Sequence, residues 1–251
     1  MTTTAAGPTA ARAKVAAAEP PVDCLAPDGQ RILRFDRTER WLHAVNAAGV
    51  LVLLLTGTTF KVGGIQGLVG HRAVIRQVHV WVGIGLIVPF TVALVGRWGA
   101  GLRKDVHRLG RWTGGDWMWL RSRGRAAVDR VGKFNAGQKL NAVFVAGALP
   151  VMLMSGAIMQ WHNPFPDRWR TGATFVHDVF WFGLLIAIVG HIMKAVSEPE
   201  ALRAMYRKGW IRLEWARRHR PGWYAEAVKG DAHDADDAGA GFEPTHSHPL
   251  P

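Results

Sequence analysis

Four stretches of the chain are apolar almost throughout: WLHAVNAAGVLVLLLTGTTF (41–60), IRQVHVWVGIGLIVPFTVALV (75–95), QKLNAVFVAGALPVMLMSGAIMQW (138–161) and TFVHDVFWFGLLIAIVGHIMKAV (174–196). Each reaches about 20 residues, the length a helix needs to cross the hydrocarbon core of a bilayer. Charged side chains collect in the connectors instead of alternating with the apolar ones. This pattern predicts an all-α integral membrane protein built as a four-transmembrane-helix bundle. Pro89 and Pro150 fall inside the blocks, where neighbouring helices can satisfy the freed carbonyls. No internal repeat or interrupted helix is expected.

The flanks read differently. The segments 1–30 and 216–251 contain, over 1–30 and 225–251, much Ala, Pro, Gly, Asp and His without apolar periodicity. They are expected to be mostly disordered extensions around a membrane domain at 31–215. Little at the N-terminus resembles a cleaved signal peptide, because no apolar run follows the first basic residues. The connector at 98–137 is long for such a bundle. Its DWMWLRSRG stretch suits a short amphipathic helix at the headgroups or a soluble surface helix.

Charge orients the blocks. Arg31, Arg34, Arg37 and Arg40 precede the first block. Ten Lys and Arg residues from Arg97 to Lys133 separate the second from the third, and Arg203 to Arg220 follow the fourth. The two remaining connectors are poor in cations, with Lys61 and Arg72 in one and Arg168 and Arg170 in the other. Positive-inside logic therefore predicts cytoplasmic N- and C-termini and a cytoplasmic long connector. The net charge of +12 follows from this topology, so no nucleic-acid partner is expected. Trp41, Trp98, Trp161 and Trp169 lie near block ends, as interfacial belts require.

The single cysteine, Cys24, rules out a disulfide framework or a Cys-built metal cluster within the chain, and no C-x-x-C-H is present for c-type haem. Histidine carries the candidate chemistry. His177 and His191 are fourteen residues apart in the fourth block. Such an interval returns to within roughly 40° of one helix face and spans about 21 Å of its axis. The up-and-down topology puts His43 at the depth of His191, and His79 at the depth of His177. Two inner and two outer imidazoles are what two six-coordinate b-type haems require in a bundle core. Intramembrane ionisable residues are costly and generally functional, although a single such histidine would be explained by an interhelical hydrogen bond.

Neighbouring residues admit two roles each. Gly57, fourteen residues after His43, either makes room for the outer porphyrin edge or packs helices closely. Arg40, Arg76 and Lys194, one turn from a histidine, are candidate haem propionate contacts or snorkelling anchors. Asp178 either pairs with a cation on a neighbouring subunit or caps a helix N-terminus. Asn46 and Asn141 are expected to bond between helices. In KFNAGQK (133–139), Asn135 and Gln138 flank small residues suited to a quinone carbonyl, while on composition alone a helix start capped by Asn135 is the better account of the string. His162 is a loop histidine or a neighbour of the outer site. His71, His107, His219, His233, His246 and His248 carry no such pattern.

Together, W-L-H in the first block, Q-V-H in the second, F-N-A-G-Q-K before the third and F-V-H-D…G-H in the fourth resemble the cytochrome b (gamma) subunit of membrane-bound formate dehydrogenases. The resemblance covers roughly residues 31–215. It implies a diheme subunit of the bacterial inner membrane, with His79 and His177 on the outer haem b iron and His43 and His191 on the inner one. Electrons would come from an iron–sulfur (beta) partner and pass to menaquinone or ubiquinone. The family's quinone motif falls on Asn135, Gly137 and Gln138, with His191 contributing. Formate oxidation would belong to a molybdenum- or tungsten-containing (alpha) subunit. Related cytochromes of hydrogenase or thiosulfate/polysulfide reductase complexes share the cofactors but not the donor. A haem-free anchor or transporter is the reading from another class.

Overall fold

The computed structural model describes Ala26 and residues 29–62, 70–125 and 131–227. Cys24 and most of both extensions, including His233, His246 and His248, lie outside the described residues. The described chain divides into two compact units.

The larger unit comprises residues 34–113 and 136–209. Its helices are α1 (Arg37–Lys61), α2 (Arg72–Gly85), α3 (Ile87–Val95), α4 (Ala100–Gly110), α6 (Ala136–Gln160), α7 (Asp167–Ser197) and α8 (Pro199–Tyr206). Four helical stretches are long and apolar enough to cross a membrane: α1, α2 with α3, α6 and α7. Leu55, Val88, Val95, Phe175, Met193 and many other apolar side chains face outward along them, as lipid-facing helices demand. Trp41, Trp98, Trp161 and Trp169 are likewise exposed.

Local chemistry sets the helix ends. At the start of α1, the Asp36 carboxylate accepts from the Glu39 backbone N–H at 2.7 Å, and the Glu39 carboxylate accepts from that of Asp36 at 2.8 Å. This capping box satisfies two donors that a helix N-terminus leaves free. The second span runs from Arg72 to Val95 as one helical stretch, with a local lapse in its hydrogen-bond ladder at Leu86, between α2 and α3, where the backbone stays helical. Pro89 accounts for it: the ring removes the N–H that would reach Gly85 and crowds that carbonyl. Pro150, by contrast, sits within an unbroken α6.

The smaller unit holds described residues up to Leu33, 114–135, and from Trp210 onward. Within it, β1 (Arg31–Leu33) pairs antiparallel with β2 (Trp210–Arg212), Ile32 opposite Ile211. Both isoleucines are fully buried. The molecule is therefore mostly helical and not all-α: three-residue strands are too short to register as alternation. Here α5 (Gly114–Arg121) covers much of DWMWLRSRG, with Trp117 and Met118 exposed. After β2 come α9 (Leu213–His219) and a helical stretch at 221–227. Regular structure thus continues to residue 227, the last described residue, within the 216–251 segment expected to be mostly disordered.

Candidate functional site

All four intramembrane histidines belong to the larger unit, on three helices: His43 on α1, His79 on α2, His177 and His191 on α7. The structure brings them together in two pairs. The His79 and His177 ring centres are 6.3 Å apart with planes inclined at 59°. Those of His43 and His191 are 6.1 Å apart and inclined at 45°. An imidazole nitrogen sits about 2.0 Å from a metal it ligates. With a further ångström or so to each ring centre, two rings sharing one ion fall on the order of 6 Å apart, so both pairs fit a shared iron.

Around His79 and His177 the helices α1, α2, α6 and α7 enclose a cavity of about 430 Å³. Its wall is largely apolar, including Leu53, Leu54, Met152 and Trp181, with Gly57, Gly83 and Gly156 among the lining residues. A methyl group on Gly57 would stand 3.0 Å from the Trp181 indole nitrogen and 3.7 Å from His79 Cε1. One on Gly156 would stand 3.4 Å from His177 Cε1. Both glycines thus lie against the rings, and the tight contact at Gly57 is with Trp181. Among the described residues no three His, Cys, Asp or Glu side chains converge on a metal position. An ion held between either histidine pair would take its remaining ligands from something other than these side chains.

Two hydroxyls complete this pair. Thr56 Oγ1 lies 2.7 Å from His79 Nδ1, and Ser155 Oγ lies 3.0 Å from His177 Nδ1. Phe60 meets the His79 ring edge-on at 5.9 Å. His43 differs: its Nδ1 is buried without a hydrogen-bond partner, and Tyr206 of α8 meets its ring edge-on at 5.6 Å. His191 is the exposed member of the four.

The basic candidates separate. Arg76 lines the cavity, together with Lys61 and Arg72. Arg40 donates to the backbone carbonyls of Asp36 and Arg207, and Lys194 pairs with Glu198 at 3.0 Å. His162 is exposed and borders the cavity mouth. Asp178 neither caps α7, which begins at Asp167, nor needs another subunit. Its carboxylate pairs with Lys61 of the same chain. Asn46 donates to Leu42 O of its own helix at 2.9 Å and not across helices.

Of the residues expected around quinone, Asn135 is buried and directly precedes α6. Gly137 and Gln138 are half-buried in its first turn. The neighbouring Lys139 is buried, donates to Arg111 O at 2.8 Å and stands 6.0 Å above the Trp112 ring. Sequence reasoning missed Thr56, Ser155, Gly156, Trp181 and the Lys61–Asp178 pair. One signal was present. A hydroxyl residue followed by glycine occurs near the C-terminal end of both the first and third blocks, at 56–57 and 155–156.

Residues 34–208 match the family model described as prokaryotic cytochrome b561. The cytochrome b556 subunit of formate dehydrogenase from Haemophilus influenzae is 26% identical over 207 residues, covering 79% of this chain and 84% of that protein. The formate dehydrogenase cytochrome b556(fdo) subunit of Escherichia coli is 26% identical over 213 residues, covering 79% and 94%. The nitrate-inducible formate dehydrogenase cytochrome b556(Fdn) subunit of Escherichia coli is 29% identical over 116 residues, covering 45% and 52%.

Proposed function

The chain belongs to the prokaryotic cytochrome b561 family, and from that premise we propose that it is the membrane-anchoring diheme cytochrome b subunit of a formate dehydrogenase complex. It carries electrons from an iron–sulfur partner through two haems b to menaquinone or ubiquinone. The observation that supports this best is the pair of imidazole pairs, ring centres 6.3 and 6.1 Å apart. Fourteen residues, about 21 Å along α7, separate their members on that helix. The haems, when bound, supply reversible one-electron storage at each pair.

The chain's own residues do the rest. His79 and His177 present imidazoles to the outer iron, and His43 and His191 to the inner one. Arg76 and Arg72 give the cavity rim positive charge for propionates, while the Lys61 charge there is matched by Asp178. Largely apolar walls line the cavity beside His79 and His177. Asn135, Gly137 and Gln138, with His191, are assigned to quinone; the Lys and Arg distribution supports a cytoplasmic side of the inner membrane for them and for both termini. Formate oxidation is assigned to the molybdenum or tungsten alpha subunit. The names of the relatives favour formate over hydrogenase or thiosulfate/polysulfide reductase partners.

A reduced-minus-oxidised spectrum of the purified chain tests the core of this. Two haems b per polypeptide are expected, and haem-free protein that is properly inserted would reject it. Co-purification with a molybdopterin subunit showing formate-to-quinone activity then tests the assigned partner.

A further inference from the structure

The hydroxyl–glycine dipeptides Thr56–Gly57 and Ser155–Gly156 occupy equivalent places in the two helix hairpins of the membrane unit. Thr56 and Gly57 on α1 face His79 of α2; Ser155 and Gly156 on α6 face His177 of α7. Each hydroxyl also approaches the carbonyl one turn back in its own helix. Thr56 Oγ1 is 2.7 Å from Val52 O, and Ser155 Oγ is 2.7 Å from Val151 O. A hydroxyl has a single proton to donate. With that proton committed to the backbone carbonyl, as hydroxyls in apolar helices commonly do, the oxygen can only accept from the ring.

Nδ1 of each histidine must then carry the hydrogen, which leaves the Nε2 lone pair for a metal. The opposite tautomer would put a proton on Nε2 and block ligation. The adjacent glycines lie against the same rings: an added methyl would stand in van der Waals contact, 3.7 Å from His79 Cε1 at Gly57 and 3.4 Å from His177 Cε1 at Gly156. His43 has no such partner for its Nδ1.

We infer that Thr56 and Ser155 are positioning residues which fix the tautomer and orientation of His79 and His177, so that this pair alone is held ready for haem by side-chain hydroxyls. The inference rests on the haem assignment proposed above. An acceptor on the far ring nitrogen makes an imidazole a more basic ligand. A more basic ligand favours the oxidised, more positive iron and lowers the potential of the site. Loss of such an outer partner typically weakens metal binding by roughly 10- to 100-fold.

The test is a redox titration of the purified full-length chain loaded with haem, with haem release to excess apomyoglobin followed in parallel. Thr56→Val and Ser155→Ala should each raise the midpoint potential of one haem and hasten its release, with the other unmoved. Thr56→Ser and Ser155→Thr, which keep a hydroxyl, should hold the wild-type values. His79→Ala identifies the affected haem by removing it. Unmoved potentials with two haems bound would overturn the hydroxyl inference and leave the haem assignment standing. So would equal shifts from Thr56→Val and Thr56→Ser, or a shift confined to the haem that survives His79→Ala. If His79→Ala removes no haem, the assignment itself falls. Should Thr56→Val fail to insert, Ser155→Ala, which deletes one oxygen, decides the matter.

Discussion

The two histidine pairs have nearly the same ring separation but different surroundings. His79 and His177 come from neighbouring hairpins, each ring bonded to a hydroxyl and backed by a glycine, around a cavity of about 430 Å³. His43 and His191 lie near helix ends, beside Tyr206 of the short α8. One of these rings has an unpartnered buried nitrogen and the other is exposed. Matching ring distances alone thus do not make matching sites. What differs is how far the protein holds the imidazoles before any cofactor arrives, a difference in preorganisation that polar groups on adjacent helices create.

Ligand deletion should break the comparison most strongly. His79→Ala is expected to leave one haem per chain, the one held by His43 and His191, and His43→Ala to leave the other. Pyridine haemochrome stoichiometry counts them, and electron delivery to a quinone analogue should fall to background in both. Two haems retained in either variant would show that the pair in question is not a ligand set.

Steric filling comes next. Gly57→Leu puts a side chain where even a methyl meets Trp181 at 3.0 Å and His79 at 3.7 Å. Overpacking of this kind costs roughly 1–3 kcal/mol, and here the displaced groups are the ring and its wall. Haem at the His79–His177 pair should be lost or its spectrum perturbed, with the other haem retained. An unchanged spectrum would mean that the cavity is not where the porphyrin lies.

The spans and the pairing by depth were readable before any coordinates, for separate physical reasons. A run of about 20 apolar residues has few alternatives to crossing a bilayer. Once the helices alternate in direction, each histidine's depth follows from its place in its span. The supporting groups were hidden because Thr56 and Ser155 look like any hydroxyl satisfied by its own helix; their second contact depends on helix rotation, which sequence spacing does not specify. The Lys61–Asp178 pair joins helices distant in sequence, so spacing along the chain could not point from one residue to the other. Pro89 and Pro150 make a similar point. Both lie in apolar helices, yet only the first coincides with a lapse in the hydrogen-bond ladder, beside Gly85 at the end of α2.

A smaller effect is expected on the other side of the comparison. Tyr206→Ala removes the edge contact with His43 at 5.6 Å, an interaction worth about 0.5–1.5 kcal/mol. Tyr206→Phe keeps the ring and should be silent. A thermal scan that follows haem absorbance at each pair separately should find the loosening confined to the His43–His191 site. Equal loosening at both pairs would mean that α8 supports the whole bundle and not this site.

The smallest effect should come from the Lys61–Asp178 pair, whose side chains are 36% and 37% exposed. Half-exposed ion pairs contribute about 1 kcal/mol or less, because solvent screens the attraction and ordering two side chains opposes it. Asp178 nevertheless follows His177 directly, and Lys61 ends the helix that carries Thr56 and Gly57. The pair therefore ties together the two helices that flank the hydroxyl-supported site. Lys61→Met and Asp178→Asn should each cause a small loss of stability, and the double variant should lose less than their sum. Both haems should remain bound. A double-mutant cycle on the unfolding midpoint measures the coupling, and additive losses would reduce the contact to two independent surface charges. Loss of haem from His79 and His177 in either single variant would instead make this ion pair part of what holds those rings, alongside the hydroxyls.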